Sequence, residues 1–320
     1  MRAAQVIDTT GPTDVVVRDV PDPTPGPDDV LVEVHRVGIS FPDLLLSKGE
    51  YQLKPEVPFT LGADFAGTVV SGGPFEPGQR VAGVNGYGGA AELVSNPAQF
   101  TFALPDHVSF DEGAALPMNY LTAQFALAER GGLRAGETVL VHGAAGGVGT
   151  ASIQVAKGYG ARTIAVVSTE EKAEVARAAG ADAAVLLEGF KDAVLQLTDG
   201  RGVDLVVDVV GGSAFTDSLR ALATQGRLLV VGFASGQGIP EVRVNRLLLN
   251  NVDVRGVGWG AFATTRPGYM QEQWAELLPM LESGVVKPPI GATYDLDDVA
   301  RALTDMDERR TLGKSVVRVR

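Results

Sequence analysis

Short apolar runs alternate with helix-patterned segments through the middle of the chain. The runs recur at residues 138–142, 163–167, 183–187, 203–208, 227–231 and 252–258. Most are separated by segments with helical periodicity, such as Glu170 to Ala179, which is closed by Gly180. Continuous apolar strands that alternate with helices are typical of a parallel sheet covered on both faces. The pattern therefore predicts a doubly wound α/β sheet.

The first third of the chain has a β pattern instead. Residues 15–18, 30–35 and 67–70 are β-branched runs between turn-forming residues. The proline-rich residues 21–27 are expected to form an extended surface connection, because proline cannot pair centrally in a sheet. We expect these strands to form a compact, partly closed β-barrel.

Two changes of pattern mark the domain boundaries. From Ala114 the sequence becomes small, apolar and helical, and after Trp259 it predicts a loop followed by an amphipathic helix at about 269–283. A short acidic helix from Asp295 and a final β-like run, residues 314–319, end the chain. We expect this tail to rejoin the first domain.

Length and charge limit the classes of function. A chain of 320 residues suits two domains. Its 27 basic and 39 acidic residues give a net charge of -12, which disfavours nucleic-acid and anionic-membrane partners. No apolar run approaches the roughly 18 to 20 residues of a membrane span, and the first residues lack the apolar core of a signal peptide. We therefore expect a cytoplasmic protein.

The sequence also argues against a metal site. It contains no cysteine, and its three histidines, His35, His107 and His142, lie far apart. Each histidine is interpreted as structural, although this interpretation has the least support for His142, which ends a strand directly before a glycine-rich loop.

Residues 138–149, TVLVHGAAGGVG, contain the clearest functional motif of the chain. Ala144, Gly146 and Gly149 have the G-x-G-x-x-G spacing, with alanine in the first position. Small residues let a pyrophosphate approach the backbone, and the helix that follows offers unpaired N–H groups. A glycine-rich turn that only packs a helix on a strand is the alternative. The strand and helix context favours a dinucleotide site, and its candidate residues are Ala145, Gly146, Gly147, Val148 and Gly149.

The chain as a whole resembles the zinc-independent quinone oxidoreductases of the medium-chain dehydrogenase/reductase superfamily. The resemblance rests on the order and spacing of residues 38–44, 58–69, 120–123, 142–149, 207–212, 231–236 and 313–317. It implies a GroES-like catalytic domain made of residues 1–118 and 264–320. It further implies a Rossmann domain of residues 119–263 and a cleft between the two that holds NADPH.

The same resemblance implies the type of reaction. Zinc-dependent relatives carry a cysteine where this chain has Ser40, a histidine where it has Ala63, and a four-cysteine lobe without counterpart here. Without zinc, alcohol oxidation lacks the usual stabilisation of an alkoxide. An electrophilic quinone or enone, in contrast, accepts hydride without the help of a metal ion. We therefore expect hydride reduction.

The strand end at residues 167–169 favours NADPH over NADH. An NAD enzyme places an acidic residue there for the ribose 2'-hydroxyl, and this chain has Val-Ser-Thr. Ser168 and Lys172 are expected to bind the 2'-phosphate. Two features weaken the preference for NADPH: Glu170 and Glu171 are close in sequence, and Leu187 stands where the family often has a tyrosine. By resemblance and strand position, further cofactor contacts are expected from Thr122, Val210, Gly211, Phe233 and Ser235. Trp259 is equally compatible with the nicotinamide pocket and with the core.

On the substrate side, Ser40, Asp43 and Tyr51 match positions that line the family's cleft. Tyr51 is a candidate donor of a hydrogen bond or proton to the substrate carbonyl, and packing at a loop edge is the alternative. Two other functions stay open. An enoyl-thioester reductase would use basic residues such as Lys48, Lys54, Arg266 and Lys287, and some relatives resemble low-activity NADPH-binding structural or trafficking proteins. The edge of the sixth strand, residues 252–258, is expected to join two copies into a homodimer.

Overall fold

The computed structural model describes all 320 residues. The strands, β1 to β16 in chain order, are Arg2–Val6, Val15–Asp19, Asp29–Gly38, Phe59–Thr60, Asp64–Gly72, Arg80–Val84, Leu93–Pro97, Thr101–Ala103, Thr138–His142, Arg162–Val167, Ala183–Leu186, Val203–Asp208, Leu222–Val230, Asp253–Gly256, Ile290–Asp295 and Lys314–Arg318. The α-helices, α1 to α11, are Phe41–Ser47, Phe110–Gly113, Thr122–Gln124, Gly147–Gly158, Glu170–Ala178, Phe190–Leu197, Ala214–Ala221, Asn245–Asn250, Trp259–Ala263, Tyr269–Glu282 and Val299–Asp307. Wide π turns at Pro117–Leu121 and Phe125–Arg130 flank α3.

Six parallel strands form the sheet of the middle region, in the order β11-β10-β9-β12-β13-β14. The order reverses between β9 and β12, which is the point where ligands bind in sheets of this kind. Val139, Leu140 and Val141 of β9 are fully buried, as expected for a central strand covered on both faces. The predicted doubly wound fold is confirmed, and each strand lies within a few residues of its predicted run.

The two ends of the chain form a second, mostly antiparallel β structure. A seven-stranded sheet has the order β15-β16-β3-β5-β6-β8 with β7 also paired to β3, and a three-stranded sheet has the order β2-β1-β4. The last strand, β16, pairs with β3 through Val316 opposite Gly38. A shared apolar core contains Val32, Phe65 and Leu303, which come from both ends of the chain.

The chain divides into two compact units. Unit 1 contains Met1–Asn119, Met270–Trp274 and Pro288–Arg320, and unit 2 contains Tyr120–Tyr269 and Ala275–Lys287. The residues that differ from the division expected from sequence are Asn119, which belongs to unit 1, and residues 264–269 and 275–287, which belong to unit 2. One reason is aromatic packing within unit 2, where Phe262 contacts both Phe125 and Tyr269 with ring centroids 4.9 Å and 5.1 Å apart.

Candidate functional site

The glycine-rich loop connects β9 to α4 in unit 2. Gly146 is the N-cap of α4, and Gly143 has a positive φ of 60°. A Cβ atom on Gly149 would lie 2.2 Å from the Gly143 carbonyl oxygen, so helix and loop can approach only without a side chain there. A Cβ on Gly146 would meet only that same oxygen, at 3.4 Å, and would otherwise fill open space. The loop thus leaves room at the helix N-terminus for a group that binds unpaired N–H donors.

The loop after β12 is held by the side chain of Asp208. Its Oδ1 accepts hydrogen bonds from the N–H groups of Val210 and Gly211, at 2.9 Å and 2.8 Å. Gly143 lies against this loop, since a Cβ there would be 2.7 Å from Val209 Cγ2. The glycine-rich loop and the β12 loop are therefore in direct contact.

The loop after β13 is hydrogen bonded to the β12 loop. The Ala234 N–H donates to the Val209 carbonyl at 3.1 Å, and the Ser235 N–H donates to the Val210 carbonyl at 2.9 Å. Phe233 lies in the loop after β13 and is 39% exposed, so its ring is available to a ligand. The structure thus brings residues 143–149, 209–211 and 233–235 together at the carboxyl ends of β9, β12 and β13.

Ser168 and Lys172 lie at the carboxyl end of β10, the neighbour of β9. Ser168 is exposed, and Thr169 caps α5 by accepting a hydrogen bond from the Lys172 N–H at 3.3 Å. The Glu170 carboxylate is engaged by Arg177, with Oε1 2.5 Å from the guanidinium. The Leu187 N–H donates to the Val167 carbonyl at 2.8 Å, which places Leu187 beside this strand end.

Two further candidates for cofactor contact are buried in unit 2. Thr122 begins α3, which packs against α4, and only 8% of its surface is exposed. Trp259 is 5% exposed, which favours the core interpretation of this residue over a ligand-facing one.

In unit 1, the side chains of Ser40, Asp64 and Lys314 form a buried triangle. Lys314 Nζ donates to Ser40 Oγ and to Asp64 Oδ2, both at 2.6 Å, and Ser40 Oγ donates to Asp64 Oδ2 at 3.0 Å. The other oxygen of Asp64 accepts the Met118 N–H at 2.7 Å. A charged pair in this setting is stabilised only because its hydrogen bonds are satisfied.

Asp43 lies next to this triangle and is fully buried. Its Oδ2 accepts the Ser40 N–H at 2.8 Å, and its Oδ1 accepts the N–H groups of Gly62 and Ala63, each at 3.1 Å. Burial raises the pKa of Asp43 to about 6, although these hydrogen bonds and the Lys314 charge act in the opposite direction. Tyr51 is half-buried nearby, and its pKa is raised by burial and by the charge of Asp43.

Asp64 and Lys314 were not predicted as site residues. Both lie within the segments on which the family resemblance rests, and Lys314 opens an apolar β run, where a charged residue indicates a buried partner. Gly38 is part of the same arrangement. A Cβ there would lie 1.9 Å from the Ala114 carbonyl oxygen and 2.7 Å from Lys314 Cε.

The three histidines have separate environments, and His107 is exposed. His35 stacks on Phe110 with ring centroids 4.4 Å apart, and His142 is buried with Nε2 2.8 Å from Ser218 Oγ. No group of three or more His, Cys, Asp or Glu side chains is placed to hold a metal ion. None of the helices has the length and apolar character needed to cross a membrane.

Comparisons with known proteins agree with this architecture. A family model described as Alcohol dehydrogenase GroES-like domain matches residues 26–106, and one described as Zinc-binding dehydrogenase matches residues 147–283. Quinone oxidoreductase-like protein 2 of Rattus norvegicus is 38% identical over 296 residues, which cover 90% of this chain and 84% of that protein.

Two solved structures are similar over the full chain. A mycobacterial protein solved in complex with NADPH has 34% identity and a TM-score of 0.91, with 100% of both chains covered. The quinone oxidoreductase of Thermus thermophilus, solved alone and in complex with NADPH, has 32% identity and a TM-score of 0.87, again with 100% of both chains covered.

Proposed function

The chain belongs to the quinone oxidoreductase family of the medium-chain dehydrogenase/reductase superfamily, and we propose that it reduces a quinone or a related α,β-unsaturated carbonyl with NADPH. In this reaction the bound NADPH supplies a hydride, the substrate takes up the hydride and a proton, and NADP⁺ is left. The single observation that carries the proposal is the joined set of loops at residues 143–149, 209–211 and 233–235. They form one surface at the switch point of the parallel sheet.

The glycine-rich loop fits a dinucleotide pyrophosphate. Ala145, Gly146, Gly147, Val148 and Gly149 surround the start of α4, where the helix dipole and the first-turn N–H groups favour an anion. The open space at Gly146 would let phosphate oxygens approach the backbone. We assign Val210, Gly211, Phe233 and Ser235 to the nicotinamide half of the cofactor, together with Thr122.

The end of β10 supports NADPH rather than NADH. Ser168 is exposed there, no carboxylate occupies residues 167–169, and Glu170 is turned toward Arg177. A 2'-phosphate therefore meets a hydroxyl and the Lys172 ammonium with little repulsion. The Leu187 side chain cannot donate a hydrogen bond, so Lys172 carries most of the discrimination between NADPH and NADH.

On the substrate side, we assign different roles to the three predicted residues. Ser40 and Asp43 are buried and fully hydrogen bonded within the protein, so they position the surrounding backbone. Tyr51 is half-buried, and its pKa is raised. The phenol therefore stays protonated, and can donate, at pH values above those at which a free tyrosine ionises. Tyr51 Oη is therefore the proposed donor of a hydrogen bond or proton to the substrate oxygen.

Of the four basic residues considered for an enoyl-thioester reductase, Lys287 is exposed and the other three have partners within the chain. Lys48 pairs with Asp307 at 2.6 Å, Lys54 donates to the Gly49 carbonyl at 2.9 Å, and the Arg266 guanidinium lies 3.4 Å from the centroid of the Phe262 ring. The charges of these three residues are thus engaged locally, which favours the quinone and enone proposal over a phosphopantetheine site.

We also propose that the protein is a homodimer. The outermost strand of the parallel sheet, β14, has an unpaired edge. Close to it in sequence, Ile239, Val244, Leu248 and Leu249 are more than 70% exposed, which is unusual for large apolar side chains in a monomer. Light scattering that gives a dimer mass supports this assembly, and a monomer mass at working concentration contradicts it.

The proposal is tested by the rate of NADPH oxidation with a panel of quinones, enals and enoyl-thioesters. Turnover with quinones or enals, and little with enoyl-thioesters, is the expected result. NADPH binding without turnover on the whole panel would instead support a structural role.

A further inference from the structure

The side chain of Gln154 binds two segments of unit 2 that are far apart in the sequence. Gln154 lies on α4, the helix that begins at the glycine-rich loop, and is 4% exposed. Its Oε1 accepts the Tyr120 hydroxyl at 2.7 Å and the Lys287 N–H at 2.9 Å, and its Nε2 donates to the Lys287 carbonyl at 2.8 Å. The carboxamide of Gln154 is therefore buried and hydrogen bonded through both of its polar atoms.

The backbone groups of Lys287 fix the orientation of this carboxamide. A backbone N–H only donates and a carbonyl only accepts, so Oε1 must face the Lys287 N–H and Nε2 must face the Lys287 carbonyl. Because Oε1 only accepts, the Tyr120 hydroxyl is the donor in the remaining bond. The two bonds to Lys287 thus keep Oε1 directed at Tyr120, which is 1% exposed.

Tyr120 belongs to the irregular helical segment that carries Thr122. The π turn Pro117–Leu121 comes directly before α3, and the π turn Phe125–Arg130 comes directly after it. A π turn contains one residue more than an α-helical turn, so it changes the direction in which the following side chains point. A continuous α-helical ladder therefore does not set the direction of the Thr122 side chain. The bond from Tyr120 to Gln154 attaches this segment to a neighbouring helix instead.

We propose that Gln154 is a positioning residue, which holds Tyr120 and thereby fixes Thr122 relative to the start of α4. The helix α3 packs against α4, and α4 has Gly146 as its N-cap. One side chain thus links the proposed pyrophosphate site to the proposed nicotinamide contact. The positioning role rests on the proposed function, whereas the attachment of Tyr120 to α4 does not.

The attachment is tested by hydrogen exchange of the full-length protein without cofactor. Tyr120→Phe removes only the bond to Gln154 Oε1, and Gln154→Met removes the two bonds to Lys287 as well. Both variants should exchange the N–H groups of residues 121–124 about fivefold faster than the wild type, within the worth of one neutral hydrogen bond. Tyr294→Phe, which loses a hydroxyl bond to Asp305 in unit 1, is the control. Unchanged exchange in Tyr120→Phe would overturn the attachment, even if Gln154→Met does not fold.

The positioning role is tested by calorimetric titration with NADPH and with 2'-phospho-ADP-ribose, which lacks only the nicotinamide. Tyr120→Phe should bind NADPH about fivefold more weakly than the wild type does, because the nicotinamide contact is misplaced. Its affinity for 2'-phospho-ADP-ribose should be unchanged. A general structural defect would instead weaken both ligands equally, and equal changes or no change for the two ligands would overturn the positioning role.

A variant of Thr122 shows whether Gln154 acts through this residue. In a Thr122→Ala background, Tyr120→Phe should not weaken NADPH binding further, and a full additional loss would overturn an action through Thr122. If the wild type binds neither ligand, the proposed function and the positioning role both fail, and hydrogen exchange still decides the attachment. If the wild type binds NADPH and Tyr120→Phe binds it equally well, only the positioning role fails.

Discussion

Lys314 Nζ lies 2.6 Å from Asp64 Oδ2, although the two residues are 250 positions apart in the sequence. The side chain of Lys314 is 4% exposed and that of Asp64 is fully buried. The pair joins β16 at the end of the chain to β5 near its start. It therefore anchors the C-terminal strand within unit 1.

Removal of one partner should destabilise unit 1 strongly. Lys314→Met leaves the Asp64 carboxylate buried without its ammonium, and the expected loss in the free energy of unfolding is about 3 to 5 kcal/mol. Urea unfolding measures it. Lys48→Met, which removes only the partly exposed pair with Asp307, should cost about 1 kcal/mol or less.

The double variant Lys314→Met, Asp64→Asn provides the second arm of this test. Because it leaves no uncompensated charge, it should be more stable than Lys314→Met alone. If Lys314→Met alone were as stable as the wild type, the Asp64 carboxylate would not be a buried charge that depends on Lys314.

Stability should depend on pH through Asp43. Its pKa is raised from 3.8 to about 6, so the folded state favours the protonated carboxyl. This group therefore contributes stability that is fully present below the unfolded pKa and is lost as pH rises through 6. The expected loss is roughly 3 kcal/mol between about pH 4 and pH 7.

The pH effect is measured by urea unfolding at a series of pH values. In Asp43→Asn the decline over this window should disappear, whereas Asp28→Asn, at an exposed position, should retain it. An identical pH dependence in the wild type and Asp43→Asn would rule out Asp43 as its origin.

Lys172 should determine the preference for NADPH. Loss of one charged hydrogen bond to the 2'-phosphate is worth about 1.5 to 3 kcal/mol, so Lys172→Ala should raise the KM for NADPH roughly ten- to hundredfold. The KM for NADH should stay nearly unchanged. Steady-state kinetics with both cofactors measure this, and Lys191→Ala on α6 is the control. Equal changes for the two cofactors would exclude Lys172 as the phosphate contact.

Tyr51 should affect turnover rather than cofactor affinity. If its phenol donates the proton, Tyr51→Phe should lower kcat about a hundredfold, within the usual range for acid catalysis, and leave the KM for NADPH unchanged. Tyr87→Phe is the matched control, because Tyr87 is exposed and its ring packs edge-on against Phe59. An unchanged kcat would remove Tyr51 from the mechanism.

The sequence predicted local features of the fold well. The runs at 138–142 and 203–208 coincide with β9 and β12, and the amphipathic helix expected at about 269–283 is α10, Tyr269–Glu282. These predictions succeed because strand and helix periodicities are set by neighbouring residues that face the same core. The glycine spacing likewise reports a local requirement, the close approach of α4 to the loop.

Pairings between distant residues were not predictable in the same way. Asp64 and Lys314 meet only through the register of β16 on β3, and His142 lies beside Asp208 only through the order of the parallel sheet. Neither proximity leaves a periodic pattern, because each depends on which strands are neighbours. The assignment of residues 264–269 and 275–287 to unit 2 also depends on long-range packing, here of Phe262 on Phe125.

The proposed reaction is hydride transfer from NADPH to a quinone or enone. Its most direct test is the rate of oxidation of NADPH carrying deuterium at either face of C4, followed with a reactive quinone or enal. The expected result is substrate-dependent oxidation that is slowed by deuterium on one face and nearly unaffected by deuterium on the other. Tight NADPH binding with no oxidation by any quinone, enal or enoyl-thioester would contradict it.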